Sequence, residues 1–204
     1  MRKNQKAALV SALARPAKKA LAHQSLSHGD LGYPDRLVRW LGVDAPKTVS
    51  VVGALAPLSA SMSAFLCSKE APGATILKAF DQAAAWRDTG RCVISGFHSP
   101  LERECLDILL RGKQPIIKAA ARAIRTAKLP AAQRRALDDG RLTIVSPFSA
   151  GETRTTKDSA FSRNLFIAAM ADDVVFAYVS PGGSLSRLVG RIAGWKVDFR
   201  CLHE

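Results

Sequence analysis

The chain has 204 residues, 48% of them hydrophobic, enough for one medium domain with a real core and too apolar for a disordered chain. No apolar run approaches the roughly 20 residues that a bilayer crossing needs, so a membrane span is not expected. Thirty Lys and Arg against seventeen Asp and Glu give a formal charge of +13, a balance suited to nucleic acid, nucleotides or anionic lipid as partners.

The charge is unevenly spread. Between Met1 and Gly29 stand Arg2, Lys3, Lys6, Arg15, Lys18 and Lys19 with no acid. A second acid-free block holds Arg111, Lys113, Lys118, Arg122, Arg125, Lys128, Arg134 and Arg135. The apolar stretch after Lys6 is short, Ala-rich and soon broken by Arg15, Pro16 and Lys18, so it reads as a basic amphipathic helix rather than a secretory signal. Residues 1–45 are therefore expected to form a basic helical segment of short helices and a loop, ending near Asp44-Ala45-Pro46.

Residues 46–204 read as one α/β domain. A β-branched run at 48–52 is closed by Gly53. A strand at 63–67 leads through Pro72-Gly73 into a helix whose Ile76, Leu77, Phe80, Ala83 and Ala84 recur at helical spacing, and Thr89-Gly90 stops it. Strands at 92–94, 115–117 and 142–145 follow, with a helix over 100–110 after the first and more helix in the basic block. A polar loop at 146–156 precedes a helix carrying Phe161, Leu165 and Ala168 on one side. The apolar run at 174–179 reads as a strand, and a helix showing Leu185, Leu188, Val189 and Ile192 comes next. Residues 195–199 read as the closing strand. Strands apolar on both faces, each followed by a helix, imply a Rossmann-like doubly wound, mostly parallel sheet with helices on both faces.

In such a sheet, ligands collect where strands end and helices begin. Ser95-Gly96-Phe97-His98-Ser99 follows one strand: Gly96 permits close backbone approach, and Ser95, His98 and Ser99 can donate to a phosphate. An ordinary turn with Ser99 capping the next helix is an equal reading. Ser180-Pro181-Gly182-Gly183-Ser184 follows the most hydrophobic strand and suits an anion nest. Ser68 and Lys69 add a hydroxyl and a cation after an earlier strand. Arg163 and Asn164 sit on the helix after the polar loop, where helical spacing alone gives a solvated face. Glu102, Glu104 and Asp107 read as helix-start and surface charges. Cys67, Cys92, Cys105 and Cys201 form no CxxC and have no close His, so neither disulfide nor zinc is expected, and reduced cytoplasm is the expected compartment. No cofactor, no metal and no catalytic residue is assigned. GxGxxG, Walker A, HExxH and GxSxG are all missing.

In order, these pieces resemble the DNA-processing protein family DprA (Smf), within a Rossmann-like group that includes LOG-type nucleotide phosphoribohydrolases. Val93-Ile94-Ser95-Gly96 resembles the family's V-x-S-G turn. Phe161-Ser162-Arg163-Asn164 with Ala168, Ala169 and Asp172-Asp173 resembles its F-P-x-R-N-R-I-I-A-G-L-S-D segment, and Gly182-Gly183-Ser184-Leu185 resembles its S-G-S-L turn. Tyr33-Pro34 with Leu37 resembles the Y-P-x-x-L ahead of the domain. The departures are Cys67-Ser68-Lys69 for G-S-R, Phe97-His98-Ser99 in place of A-R-G, and Leu165 for the second Arg of R-N-R. A further C-terminal domain found in many members is not expected. Pro181-Gly182-Gly183 also fits the LOG-type PGGxGT, but Leu188 and Val189 stand where that group carries glutamates, which counts against hydrolysis.

The resemblance implies a module binding single-stranded DNA, self-association as a homodimer, and a RecA-type recombinase as partner. Ser68, Lys69, Ser95, Gly96, His98, Ser99, Arg163, Asn164, Gly182, Gly183 and Ser184 would make its phosphate pocket. Arg111, Lys113, Lys118, Arg122 and Arg125 would extend it along the backbone with strong salt dependence. Two alternatives stand beside it: a module for a nucleotide or nucleotide-derived ligand, and an interaction protein docking its basic N-terminus on an acidic surface.

Overall fold

A computed structural model describes residues 23–203. The expected basic helix at 1–22 lies outside the described residues. Strand β1 (His23–Ser27) and helix α1 (Asp35–Leu41) lead to β2 (Thr48–Val52) and β3 (Met62–Leu66). From there strand and helix alternate: α2 (Gly73–Thr89), β4 (Cys92–Ser95), α3 (Pro100–Leu110), β5 (Ile116–Ala119), α4 (Ala131–Asp138) and β6 (Leu142–Ser146). The chain then returns through α5 (Lys157–Met170), β7 (Asp173–Phe176), α6 (Ser184–Ile192) and β8 (Asp198–Cys201).

All eight strands form one sheet in the order β1-β2-β6-β5-β4-β3-β7-β8. The pairs from β6 to β8 are parallel, and β2 runs antiparallel to both β1 and β6. Alternate side chains of each central strand feed two cores, as pleating dictates. Leu66, Ile94, Ile117, Val145 and Phe176 meet residues of α1, α5 and α6, including Leu37, Phe166 and Leu188. Their neighbours Phe65, Val93, Ile116, Ile144 and Val175 meet α2, α3 and α4 through Ala79, Trp86, Leu106 and Leu137. This is the doubly wound α/β fold expected from strands apolar on both faces.

Three expectations change. Residues 23–27 are not helix or loop but an edge strand paired with β2 from His23↔Val52 to Ser27↔Thr48. Only Leu26 of its five residues is buried, so periodicity had little to show. The closing strand lies at 198–201 rather than 195–199, because Trp195 turns back onto Trp40 of α1, with ring centroids 5.6 Å apart. The run at 174–179 leaves regular pairing after Phe176, yet Ala177 N–H still donates to Leu66 O at 2.8 Å and Ser68 N–H to Tyr178 O at 3.0 Å.

The chain lays β3, β4, β5 and β6 down in one direction, then crosses to the other side of β3 to place β7. The connections after β3 and β7 therefore leave toward opposite sides at a topological switch point, where an open parallel sheet leaves a crevice.

Candidate phosphate-binding site

A cavity of about 530 Å³ occupies that crevice, bounded by the loops after β3, β4 and β7 and by one side of α5. It collects eight of the residues singled out from sequence: Ser68, Lys69, His98, Ser99, Arg163, Asn164, Gly183 and Ser184. Ser95 and Gly96 are buried behind its wall, and Gly182 stands exposed on the outer turn.

The post-β7 loop is pinned to the post-β3 loop, because Ser180 N–H donates to Ser68 Oγ at 2.9 Å. Gly182 takes a φ of 67°, a left-handed conformation natural to glycine, and Gly183 N–H closes the turn on Ser180 O at 3.0 Å. Helix α6 then begins at Gly183, where no side chain caps it. Its first N–H groups, with the positive end of the helix dipole, border the cavity.

Helix α3 begins differently. Ser99 and Glu102 form a capping box: Glu102 N–H donates to Ser99 Oγ at 3.2 Å and Ser99 N–H returns to Glu102 Oε2 at 3.1 Å. The carboxylate reaches further, taking His98 N–H on Oε2 at 2.7 Å and Cys67 N–H on Oε1 at 2.9 Å. One buried carboxylate thus satisfies backbone donors at the ends of two strands. Glu102 is 3% exposed, which corrects its reading as a surface charge. The Ser99-x-x-Glu102 spacing carried the signal for the capping box; the bond to Cys67 needed the fold.

Arg163 is the second correction. It is 6% exposed, not on a solvated face, because α5 packs against β3, β4, α1 and α6 at once. Its Nε–H donates to Asn164 Oδ1 at 2.9 Å, fixing the guanidinium plane, and the residue lines the cavity. Burial lowers its pKa from the usual arginine value and the nearby Glu102 carboxylate opposes that shift. Gly96 makes room for it: a Cβ there would overlap Arg163 Nη1 and Cζ. The next residue, Phe97, is the one non-glycine described residue at positive φ, 47°, with its ring buried and its N–H on Ser95 Oγ at 3.1 Å. Gly96 is thus the floor under Arg163, and Ser95 is fully buried, accepting the Phe97 N–H.

Cys67 lies at the cavity edge, where its thiol is held in the protonated form. Burial first, and the Glu102 carboxylate second, push its thiol up to about 12.

The second basic block divides. Arg111 and Lys113 precede β5 and sit at the sheet's opposite edge, while Arg122 and Arg125 follow it at the cavity edge, both exposed. Lys118 lies within β5, half-buried, donating to Gln133 Oε1 at 2.9 Å, and burial lowers its pKa. Sequence reading missed Arg103, whose Nη1 donates to His98 O at 3.1 Å, and Arg187, stacked 4.7 Å over the Phe161 ring.

The molecule is thus a Rossmann-like α/β protein with a polar cavity at its switch point. The particular form of the fold is that of DNA processing protein A. Its structure from Helicobacter pylori, described for a unique single-stranded DNA binding mode, superposes with a TM-score of 0.71 at 14% identity, over 90% of this chain and 82% of that one. DprA from Streptococcus pneumoniae superposes with a TM-score of 0.69 at 18% identity, over 96% of this chain and 66% of that one. No family model matches the chain, and no curated protein matches it. The resemblance expected from the motifs is borne out in the fold. Among the described residues no helix is long and apolar enough to cross a membrane.

Proposed function

We propose that the protein binds single-stranded DNA by seating a backbone phosphate in the cavity at the β3–β7 switch point. The observation that carries this is Arg163, a buried guanidinium held by Asn164 that lines the same cavity as the uncapped start of α6. Burying a lone cation is costly unless an anion completes it, and Glu102 is already engaged by three backbone N–H groups. A phosphate supplies what is missing, with Arg163, the α6 N–H groups, Ser184 and Lys69 as donors. Exposed Arg122 and Arg125 would add salt-dependent attraction along the strand. The structural likeness to proteins of DNA processing fits this reading, with a role in DNA processing or recombination, homodimerisation and a RecA-type recombinase partner as its further expectations.

The cavity's size favours one alternative, a nucleotide or nucleotide-derived ligand. LOG-type hydrolysis is disfavoured within it. Leu188, where that group has a glutamate, is fully buried in the core, and the carboxylate lining the cavity is Glu102.

Fluorescence anisotropy with labelled oligo(dT) across salt concentrations, with mononucleotide as competitor, decides between them. Steeply salt-dependent binding that weakens about tenfold or more in Arg163→Ala and resists mononucleotide is the expected result. Absence of binding at low salt sinks the strand reading, and complete displacement by mononucleotide moves the protein to the small-ligand class.

A further inference from the structure

A second, larger cavity of about 800 Å³ lies on the other side of α5. The two are separated by the same pair of helices. Ala160, Arg163 and Asn164 of α5 line the phosphate cavity, while Phe161, Ser162 and Leu165 line the second. On α6, Ser184 and Leu185 face the first, and Arg187 and Arg191 face the second. The second cavity's far wall is Pro147 and Phe148, in the loop after β6. That loop is tied to the basic segment after β5: Ser146 Oγ donates to Arg122 O at 2.8 Å, and Ala123 N–H donates to Glu152 O at 2.8 Å.

Granted strand binding at the phosphate cavity, on which this rests, we propose that the second cavity is a nucleobase subsite in which bases of the same strand stack on Phe161 and Phe148. Three observations select that occupant. Of the eight phenylalanines, Phe65, Phe97, Phe166 and Phe176 are buried in the cores and Phe80 and Phe199 lie elsewhere, whereas Phe148 and Phe161 are half-buried together at this groove. Arg187 already lies 4.7 Å over the Phe161 ring, a cation over an aromatic face that a base can extend by one layer. The groove is rimmed by Arg187 and Arg191 and adjoins the loop of Arg122. Its one carboxylate, Asp44, is engaged by Arg191 at 3.4 Å, so the field at the rim suits the phosphates on either side of a stacked base. Sequence-tolerant strand binding calls for exposed aromatics of this kind, and the chain's 6% aromatic content places two of them here.

The test compares oligo(dT) with an abasic strand of equal length, which keeps the phosphates and lacks the bases. The intact protein is expected to bind oligo(dT) about tenfold more tightly than the abasic strand. Phe148→Leu and Phe161→Leu should close that gap, while Arg163→Ala should weaken both strands and leave their ratio intact. Equal affinity of the intact protein for both strands overturns the subsite, as does a gap that persists in both Leu variants. In either case, retained dependence on Arg163 leaves the strand reading standing. Binding of neither strand overturns both. Displacement of oligo(dT) by equimolar dTMP assigns the groove to a mononucleotide and overturns it too. Should Phe161→Leu fail to fold, Phe148→Leu, on a loop outside the core clusters, decides alone.

Discussion

The two edges of the parallel sheet handle charge in opposite ways. At the edge where the strands begin, one cluster beside β3 and β7 closes its charges on one another. Arg91 Nη2 donates to Asp173 Oδ1 at 2.8 Å, its other nitrogens bind Ser61 and Ser63, and Arg36 Nη1 holds Asp172 at 3.2 Å and Met170 O at 2.6 Å. Asp172 returns to the strand by accepting Met62 N–H at 2.7 Å. At the edge where the strands end, Glu102 is spent on backbone donors, and Arg163 and the uncapped start of α6 line the cavity. The first cluster is complete in itself, whereas the second is the one to which the proposed function assigns the ligand, on a fold whose architecture alone does not say which edge binds.

Glu102→Ala is the harshest test of the contrast. Three backbone N–H groups would lose their acceptor and Arg163 its nearby counter-charge, a loss of about 3–5 kcal/mol in urea unfolding. Glu102→Gln, which keeps one carbonyl oxygen, should cost less. Equal stability of Glu102→Ala and the parent would mean that the carboxylate does not hold this edge together.

Alkaline pH strains both edges through their thiols. Burial pushes Cys67, Cys92 and Cys105 up to about 12 from an ordinary value near 9. A thiol with a raised folded pKa keeps its proton after the unfolded chain has lost its own. Stability is therefore full below about pH 9 and declines as pH climbs toward 12. A drop of a few kcal/mol by about pH 10 is expected in denaturant titrations. Cys67→Ala should remove the share of the binding edge and Cys92→Ala that of the opposite one. A flat profile between pH 8 and 10 would contradict the burial of all three.

Gly96→Ala should spare the fold and strike the cavity, since its methyl group meets the Arg163 guanidinium. About tenfold weaker strand binding with a near-parental thermal midpoint is the expected pairing. Arg91→Ala, at the closed edge, should do the reverse: a loss of about 1 kcal/mol, small because the partners are about a third exposed, with strand affinity unchanged. A shift in affinity from Arg91→Ala would erase the distinction between the edges.

How much of this was legible in the sequence follows from what each residue touches. The strands at 62–66, 92–95, 116–119 and 142–146 were readable because both faces are covered, so their apolar runs are continuous. β1 was not, because an edge strand buries one residue in five and looks like a loop. The turns that gather the cavity could be named from Gly and Ser spacing. The motif resemblance put Arg163 in the pocket, but periodicity alone gave a solvated face, since it describes a helix with one covered side and α5 is covered on several. Nor could spacing show that Gly96 serves Arg163, some 67 residues further along the chain, or that Arg111 and Lys113 would fall on the far edge from Arg122.

Phe97 sets how the binding edge responds to a ligand. A side-chain-bearing residue at a φ of 47° gives up about 1 kcal/mol of backbone energy and stays there because its ring is locked in the core. The floor beneath Arg163 therefore has no easy direction in which to yield. The guanidinium cannot sink and the turn cannot relax without lifting an aromatic ring out of the interior. Under the proposed function, such a site would meet its ligand ready-made. Its association rate should follow diffusional encounter and the field of the surrounding cations, with no slow isomerisation phase, and the entropy spent on ordering should fall on the strand alone.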